Sequence, residues 1–135
     1  MTPKWITLTQ RGDERGLLVA IEGGRDVPFE IKRVYTLYGF TPGSVRGGHA
    51  HKTLRQVIVC LAGSCLIDLD DNVDVQTVSL DAPMRGLVLD PMVWHEMRGF
   101  SPDCVLMVLA AEHYDEGDYI RNRAEFQRLS AGATP

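Results

Sequence analysis

Gly43-Ser44-Val45-Arg46-Gly47-Gly48-His49-Ala50-His51 is the most informative stretch of the chain. In a strand, side chains two residues apart point the same way, so His49 and His51 share one face with small Ala50 between them. The glycines ahead of them suit a tight entry, or a place where a ligand nears the backbone. Outward from this stretch the chain reads as short segments rich in Val, Ile, Leu and aromatics, bounded by Gly, Pro, Asp and Ser. They cover residues 17–22, 31–37, 56–61, 65–70, 73–80, 86–90 and 104–110. Only the tail, about 121–129, reads as helix. Many short strands at close spacing predict an all-β sandwich or barrel.

The spacing around the histidines narrows this to a cupin jelly-roll β-barrel with a short C-terminal helix. Gly43, His49, His51, position 56 and Gly63 follow the first cupin motif, with Gln56 where that motif has Glu. Gly86, Pro91-Met92-Val93-Trp94 and His95 follow the second motif loosely, one residue short and with Val93 where its Gly stands. Metal cupins use the paired histidines, the Glu and the later His as ligands. A neutral amide is a poor ligand for a divalent ion, and Gln56 removes the one anionic donor. A site without metal is expected, in which imidazoles titrating near 6.5 move protons at neutral pH.

The bulk numbers fit one domain over residues 1–135, long enough for one core. The formal net charge of -4 argues against general nucleic-acid binding. No apolar run is long enough to span a bilayer, and Met1-Thr2-Pro3-Lys4-Trp5 lacks the pattern of a secretory signal, so a cytoplasmic protein is expected. Cys60, Cys65 and Cys104, an odd set in apolar strands, are expected as free thiols. Val57 to Leu61 is apolar without alternation, and Leu17 to Ile21 has the same character. Such runs are buried on both faces, so a second layer or a second subunit must cover them. A homodimer is the expectation that follows.

Several segments together resemble one family. They are Ile31-Lys32-Arg33-Val34-Tyr35, Arg46 to Lys52, Trp94-His95-Glu96-Met97, Ser101 to Val105 and Tyr114 to Arg121. The chain is similar over about 15–126 to the cupin sugar 3,4-ketoisomerases, which act on dTDP-4-keto-6-deoxyglucose without metal or other cofactor, as dimers. The resemblance implies a carbonyl moved from C4 to C3 through an enediolate, with a base near C3, an acid near C4 and stabilisation of the oxyanion. It implies His49 as the base, His51 as the second acid–base group, and Tyr35 and Arg46 as groups that orient the histidine or the sugar oxygens. Arg33, Lys52 and Arg121 become candidates for the diphosphate, and Tyr119 for the base of the nucleotide. Within the family, an Arg before the first-strand Gly and a His after the Trp mark the branch with galacto-configured products. Arg15 and His95 occupy those places. The implied product is dTDP-3-keto-6-deoxygalactose, a precursor of 3-amino-3,6-dideoxy sugars for surface glycans.

Three other readings compete. A metal-dependent cupin oxygenase would use His49, His51 and His95. A non-catalytic sugar-nucleotide sensor would bind without proton exchange. A cupin sugar 3,5-epimerase also uses a histidine base, but those chains are longer and lack the run from Arg46 to Lys52 in this form.

Overall fold

The computed structural model describes residues 1–132, so the last three residues of the expected domain lie outside the described residues. Its strands are β1 Lys4–Thr7, β2 Gln10–Asp13, β3 Gly16–Val19, β4 Arg33–Leu37, β5 Arg46–His51, β6 Gln56–Ala62, β7 Cys65–Asp70, β8 Val75–Leu80, β9 Arg85–Leu89, β10 Trp94–Arg98, β11 Val105–Ala110 and β12 Tyr119–Ile120. One helix, α1, runs Arg123–Gly132. Two antiparallel five-stranded sheets face each other, in the orders β1-β9-β6-β11-β4 and β12-β5-β10-β7-β8, as in a cupin jelly roll. A separate ribbon pairs β2 with β3.

β6 shows how the sequence dictates the sandwich. Its β-branched run alternates faces, so Ile58 and Cys60 enter the core between the sheets with Leu87, Leu106, Ile67 and Leu69. Val57 and Val59 point the other way, into a second cluster with Leu8, Val27 and Leu109. Ile21, Phe29 and Ile31 pack against that cluster. The chain's own N-terminal segment is thus the layer that covers the outer face of β6. Each such Val or Ile contributes roughly 1.5–3 kcal/mol on leaving water. Gly63 ends β6 at a φ of 69°, and a Cβ there would lie 2.2 Å from the Ser101 hydroxyl. Only glycine fits that turn.

The expectation for residues 17–21 fails within one chain. β3 hydrogen-bonds only to β2, and Leu17 and Leu18 are 67% and 57% exposed. An apolar pattern reports which side chains seek burial, not which surface supplies it. Short strands β1, β2, β10 and β12 were not among the predicted segments, because polar and aromatic residues interrupt their pattern. The strand expected from 73 begins at Val75, since Asn72 takes a φ of 71° and the Asp71 carboxylate caps the Val73 and Asp74 amides. The helix begins two residues after its expected start, where the Asn122 side chain accepts from the Glu125 amide at 2.9 Å.

That helix sets the histidine strand. Phe126 packs with Trp94, Ala50 and Ile120 in a third buried cluster. Ala50 is fully buried beneath it, so the small residue between the histidines is what lets helix and sheet close. The three thiols are free and buried. No described helix is long and apolar enough to cross a membrane.

Candidate active site

Strand pairing assembles the site. His95 on β10 lies directly opposite His49 on β5, and Tyr119 on β12 lies opposite His51. The pairing of β10 with β5 shifts by a bulge between His95 and Glu96. Gly47 makes this possible, with a φ of 86° and the space for its absent Cβ only 2.8 Å from the His95 carbonyl oxygen. In the loop before β10 the left-handed residue is Met92, with a φ of 61°. The turn therefore forms without the expected glycine, and the Met92 amide donates to the His51 carbonyl at 2.7 Å.

The three imidazoles cluster together, with His49 and His51 against the Tyr119 ring. The His49 centroid lies 5.0 Å from His51, 4.6 Å from His95 and 5.0 Å from Tyr119. His51 and Tyr119 are 4.4 Å apart. His51 and His95 are only 3% and 4% exposed. His49, His95, Tyr35, Gln56, Arg46 and Arg121 line a cavity of about 390 Å³. Tyr119 forms the wall shared with a second cavity of about 350 Å³, bounded by Arg33, Tyr114 and Asp118.

Burial pushes His49 down to about 4, and charge on His51 would push it the same way. Burial likewise takes His95 to about 3. For His51 burial again dominates downward, while the Asp118 carboxylate pulls back up and the two arginines, Arg33 and Arg121, add to the fall. All three are neutral bases at neutral pH. Burial also raises the Tyr35 phenol to about 12, so it stays a proton donor. Gln56, 1% exposed, is tied to it: its Nε2 donates to the Tyr35 hydroxyl at 3.2 Å. The residue in the ligand position of the first motif therefore orients a phenol. Among the described residues no three His, Cys, Asp or Glu side chains converge in a metal-holding arrangement.

Two groups of buried polar atoms have hydrogen-bonding capacity to spare. His51 Nε2 is buried without a hydrogen-bond partner, while His49 Nδ1, also buried, has the Gly47 backbone close enough to raise its pKa but not in full hydrogen-bond geometry. Nε and Nη2 of Arg33 are also buried without a hydrogen-bond partner, and its guanidinium lies 5.1 Å from the Tyr35 ring and 5.5 Å from that of Tyr114. Buried donors and acceptors left unpaired cost about 1–3 kcal/mol each. Arg121 is placed differently. It stacks on Tyr119 at 4.2 Å and is gripped by Glu116 at 2.7 and 3.1 Å, and that bond first of all holds the Glu116 carboxyl down at about 2.

Eight of the expected residues therefore converge: His49, His95, Tyr35, Arg46 and Arg121 on the first cavity, Arg33 on the second, Tyr119 on both, and His51 buried behind them in contact with His49 and Tyr119, lining neither. Two do not, within one chain. Lys52 is exposed on the loop after β5 and lines neither cavity. Arg15 sits at the turn of the β2–β3 ribbon, paired with Asp13 at 2.7 Å, because a two-stranded ribbon carries its tip away from both sheets. Asp118, Glu116 and Tyr114, whose hydroxyl bonds Glu116, were not singled out from sequence. Their signal was a charged, aromatic loop, which reads as solvated surface until its partners are known.

Comparison with known proteins places the chain in a family. The family model described as "FdtA: WxcM-like, C-terminal" matches residues 1–131. TDP-4-oxo-6-deoxy-alpha-D-glucose-3,4-oxoisomerase of Aneurinibacillus thermoaerophilus is 50% identical over 131 residues, 97% of this chain and 94% of its own. The crystal structure of QdtA, a sugar 3,4-ketoisomerase from Thermoanaerobacterium thermosaccharolyticum in complex with TDP, superposes with a TM-score of 0.96. It is 41% identical and covers 98% of this chain and 97% of its own. The chain belongs to the sugar 3,4-ketoisomerase family. A histidine-to-asparagine mutant of QdtA in complex with TDP-4-keto-6-deoxyglucose matches this ketoisomerase at a TM-score of 0.95 and 40% identity, over 98% and 96% of the two chains. The protein is an intramolecular oxidoreductase, and its histidine cluster lies in the core of that fold.

Proposed function

We propose that this ketoisomerase converts dTDP-4-keto-6-deoxyglucose to dTDP-3-keto-6-deoxygalactose by histidine proton transfer in the cavity between its sheets. The observation that carries the reading is the pair of neutral imidazoles, His49 and His51, with ring centroids 5.0 Å apart and His49 lining the cavity. His49 removes the C3 proton, and the electron pair moves through C3–C4 to O4, giving the enediolate. O4 gains the proton that O3 gives up, His51 takes a proton from solvent at Nε2 and delivers it to C4, the ketone stands at C3, and His49 returns the C3 proton to solvent, so both imidazoles end neutral. Tyr35, held by Gln56, and Arg46 face the developing oxyanion, where a donor in such a site contributes about 3–4 kcal/mol.

The nucleotide half meets positive charge next door. The unpaired Arg33 fork binds diphosphate oxygens bidentately, with Arg121 beside it and Tyr119 offering a ring to the base. Arg15 and His95 favour the galacto epimer. Arg15 enters the site as part of a homodimer, in which a second copy covers Leu17 and Leu18 and meets the ribbon tip. The chain works as one cytoplasmic domain in the making of 3-amino-3,6-dideoxy sugars for surface glycans.

The test is incubation with dTDP-4-keto-6-deoxyglucose in deuterated water containing EDTA, read by NMR. The expected product has its ketone at C3, deuterium at C4, and the small H4–H5 coupling of the galacto form when made in ordinary water. A ketone that stays at C4, or activity abolished by EDTA, defeats the reading. Binding without exchange would make the protein a sensor. In sedimentation, wild type should be a dimer at micromolar concentration, and Leu17→Asp should dissociate it.

A further inference from the structure

Asp118 touches a reacting histidine, although the chemistry so far does not use it. Its Oδ2 lies 3.1 Å from His51 Nδ1 and accepts from the Leu54 amide at 3.2 Å. Its Oδ1 accepts from the Thr53 amide at 2.8 Å and from the Thr53 hydroxyl at 2.9 Å. The backbone on either side is locked too. The Lys52 amide donates to the Asp118 carbonyl at 2.9 Å, and the Asp118 amide donates to the Asp115 carbonyl at 3.1 Å.

From this geometry we infer that Asp118 is a positioning residue of the isomerase, fixing His51 as the Nδ1–H tautomer with Nε2 as its proton-accepting nitrogen. This rests on the reading that His51 moves a proton. An ionised carboxylate only accepts hydrogen bonds. Three of its contacts come from donors, the two amides and the threonine hydroxyl. Burial alone would push its carboxyl up, but the bonds from Thr53 and Leu54 outweigh this and keep it low. The fourth contact must then be an N–H, which places the His51 proton on Nδ1. The lone pair falls on Nε2, the buried nitrogen without a protein partner. When Nε2 takes a proton, the imidazolium has its counter-ion already in contact. A misplaced tautomer in such a pair removes about ten-thousand-fold of rate in the serine-protease triad.

A purely structural alternative exists, in which Asp118 staples the 52–54 loop to the 115–118 turn. Four readouts separate the two. In wild type, ¹⁵N NMR of the histidine rings should show His51 protonated at Nδ1, and an Nε2–H tautomer would overturn the proposal without any variant being made. Asp118→Asn should lower kcat about a hundred- to ten-thousand-fold with little change in KM. It should also move the acid limb of kcat to lower pH, because the anion that raises His51 is gone. The groups facing His51 that remain are His49 on its own strand, His95 on β10, Tyr119 and Arg121 beyond the turn, and Arg33 on β4. None of these replaces the lost negative charge.

Thr53→Val removes the side-chain bond of the staple and leaves the histidine contact, and should lower the melting temperature while leaving the kcat pH profile in place. In a His51→Gln background, Asp118→Asn should cost no further activity. An unmoved acid limb in Asp118→Asn, or fully additive losses in the double variant, would assign Asp118 to the staple alone. If wild type fails to isomerise the dTDP sugar, the functional reading falls, and the tautomer measurement still decides what Asp118 does to His51.

Discussion

Lowering the pH should destabilise this fold through its buried neutral histidines, and His95 allows the size to be worked out. In the unfolded chain its imidazole titrates at its ordinary value of 6.5, and in the folded barrel burial takes it to about 3. A folded value below the unfolded one means that the unfolded state binds the extra proton. Stability is therefore fully present above 6.5 and is lost as pH falls from there toward 3. At pH 5 the unfolded imidazole is 1.5 units below its midpoint while the folded one is still neutral. At about 1.36 kcal/mol per unit, His95 alone should remove about 2 kcal/mol between pH 8 and pH 5. His49 and His51 add losses of the same sign. The carboxylates held low, such as Glu116 and Asp118, titrate below this window. Urea unfolding at pH 8 and pH 5, at one fixed protein concentration, measures the loss. His95→Asn keeps a polar side chain of similar size without the titration, so its stability should fall by about 2 kcal/mol less than wild type over that range. A variant that loses as much as wild type would refute the assignment of His95 as buried and neutral.

His49→Asn should reduce turnover by about 10²–10⁴-fold while leaving the dissociation constant for dTDP within a factor of a few, checked by steady-state kinetics and calorimetry. Arg33→Met should weaken dTDP binding roughly ten- to hundred-fold, the loss of a charged hydrogen-bonding pair, with calorimetry as the readout and unchanged affinity as the contrary result. Gly47→Ala should cost about 1–3 kcal/mol, since its φ of 86° is strained for any side chain and its Cβ would press on the His95 carbonyl. Denaturant midpoints report the cost, and activity should drop with it because His95 and His49 shift together.

Local pattern carried most of the fold. The β-branched run in β6, the alternation in β7 and the turn residues between strands are properties of neighbouring residues, and neighbours decide strand periodicity. For the same reason His49 and His51 could be placed on one face. Where polar residues dilute the pattern, as in β2 and β12, periodicity had nothing to report.

By itself the sequence determined an antiparallel β architecture with two histidines side by side, because strand geometry repeats every two residues whatever surrounds it. Only the tertiary structure decided that His95 stands opposite His49, that Gln56 orients Tyr35, and that Asp118 reaches His51 across 67 residues of chain. It also decided that Nε and Nη2 of Arg33 are buried without a hydrogen-bond partner while Arg15 and Lys52 stay outside. Those facts depend on the register between strands distant in sequence. Register is settled by the packing of the whole core and by one bulge at Gly47, which no local window contains.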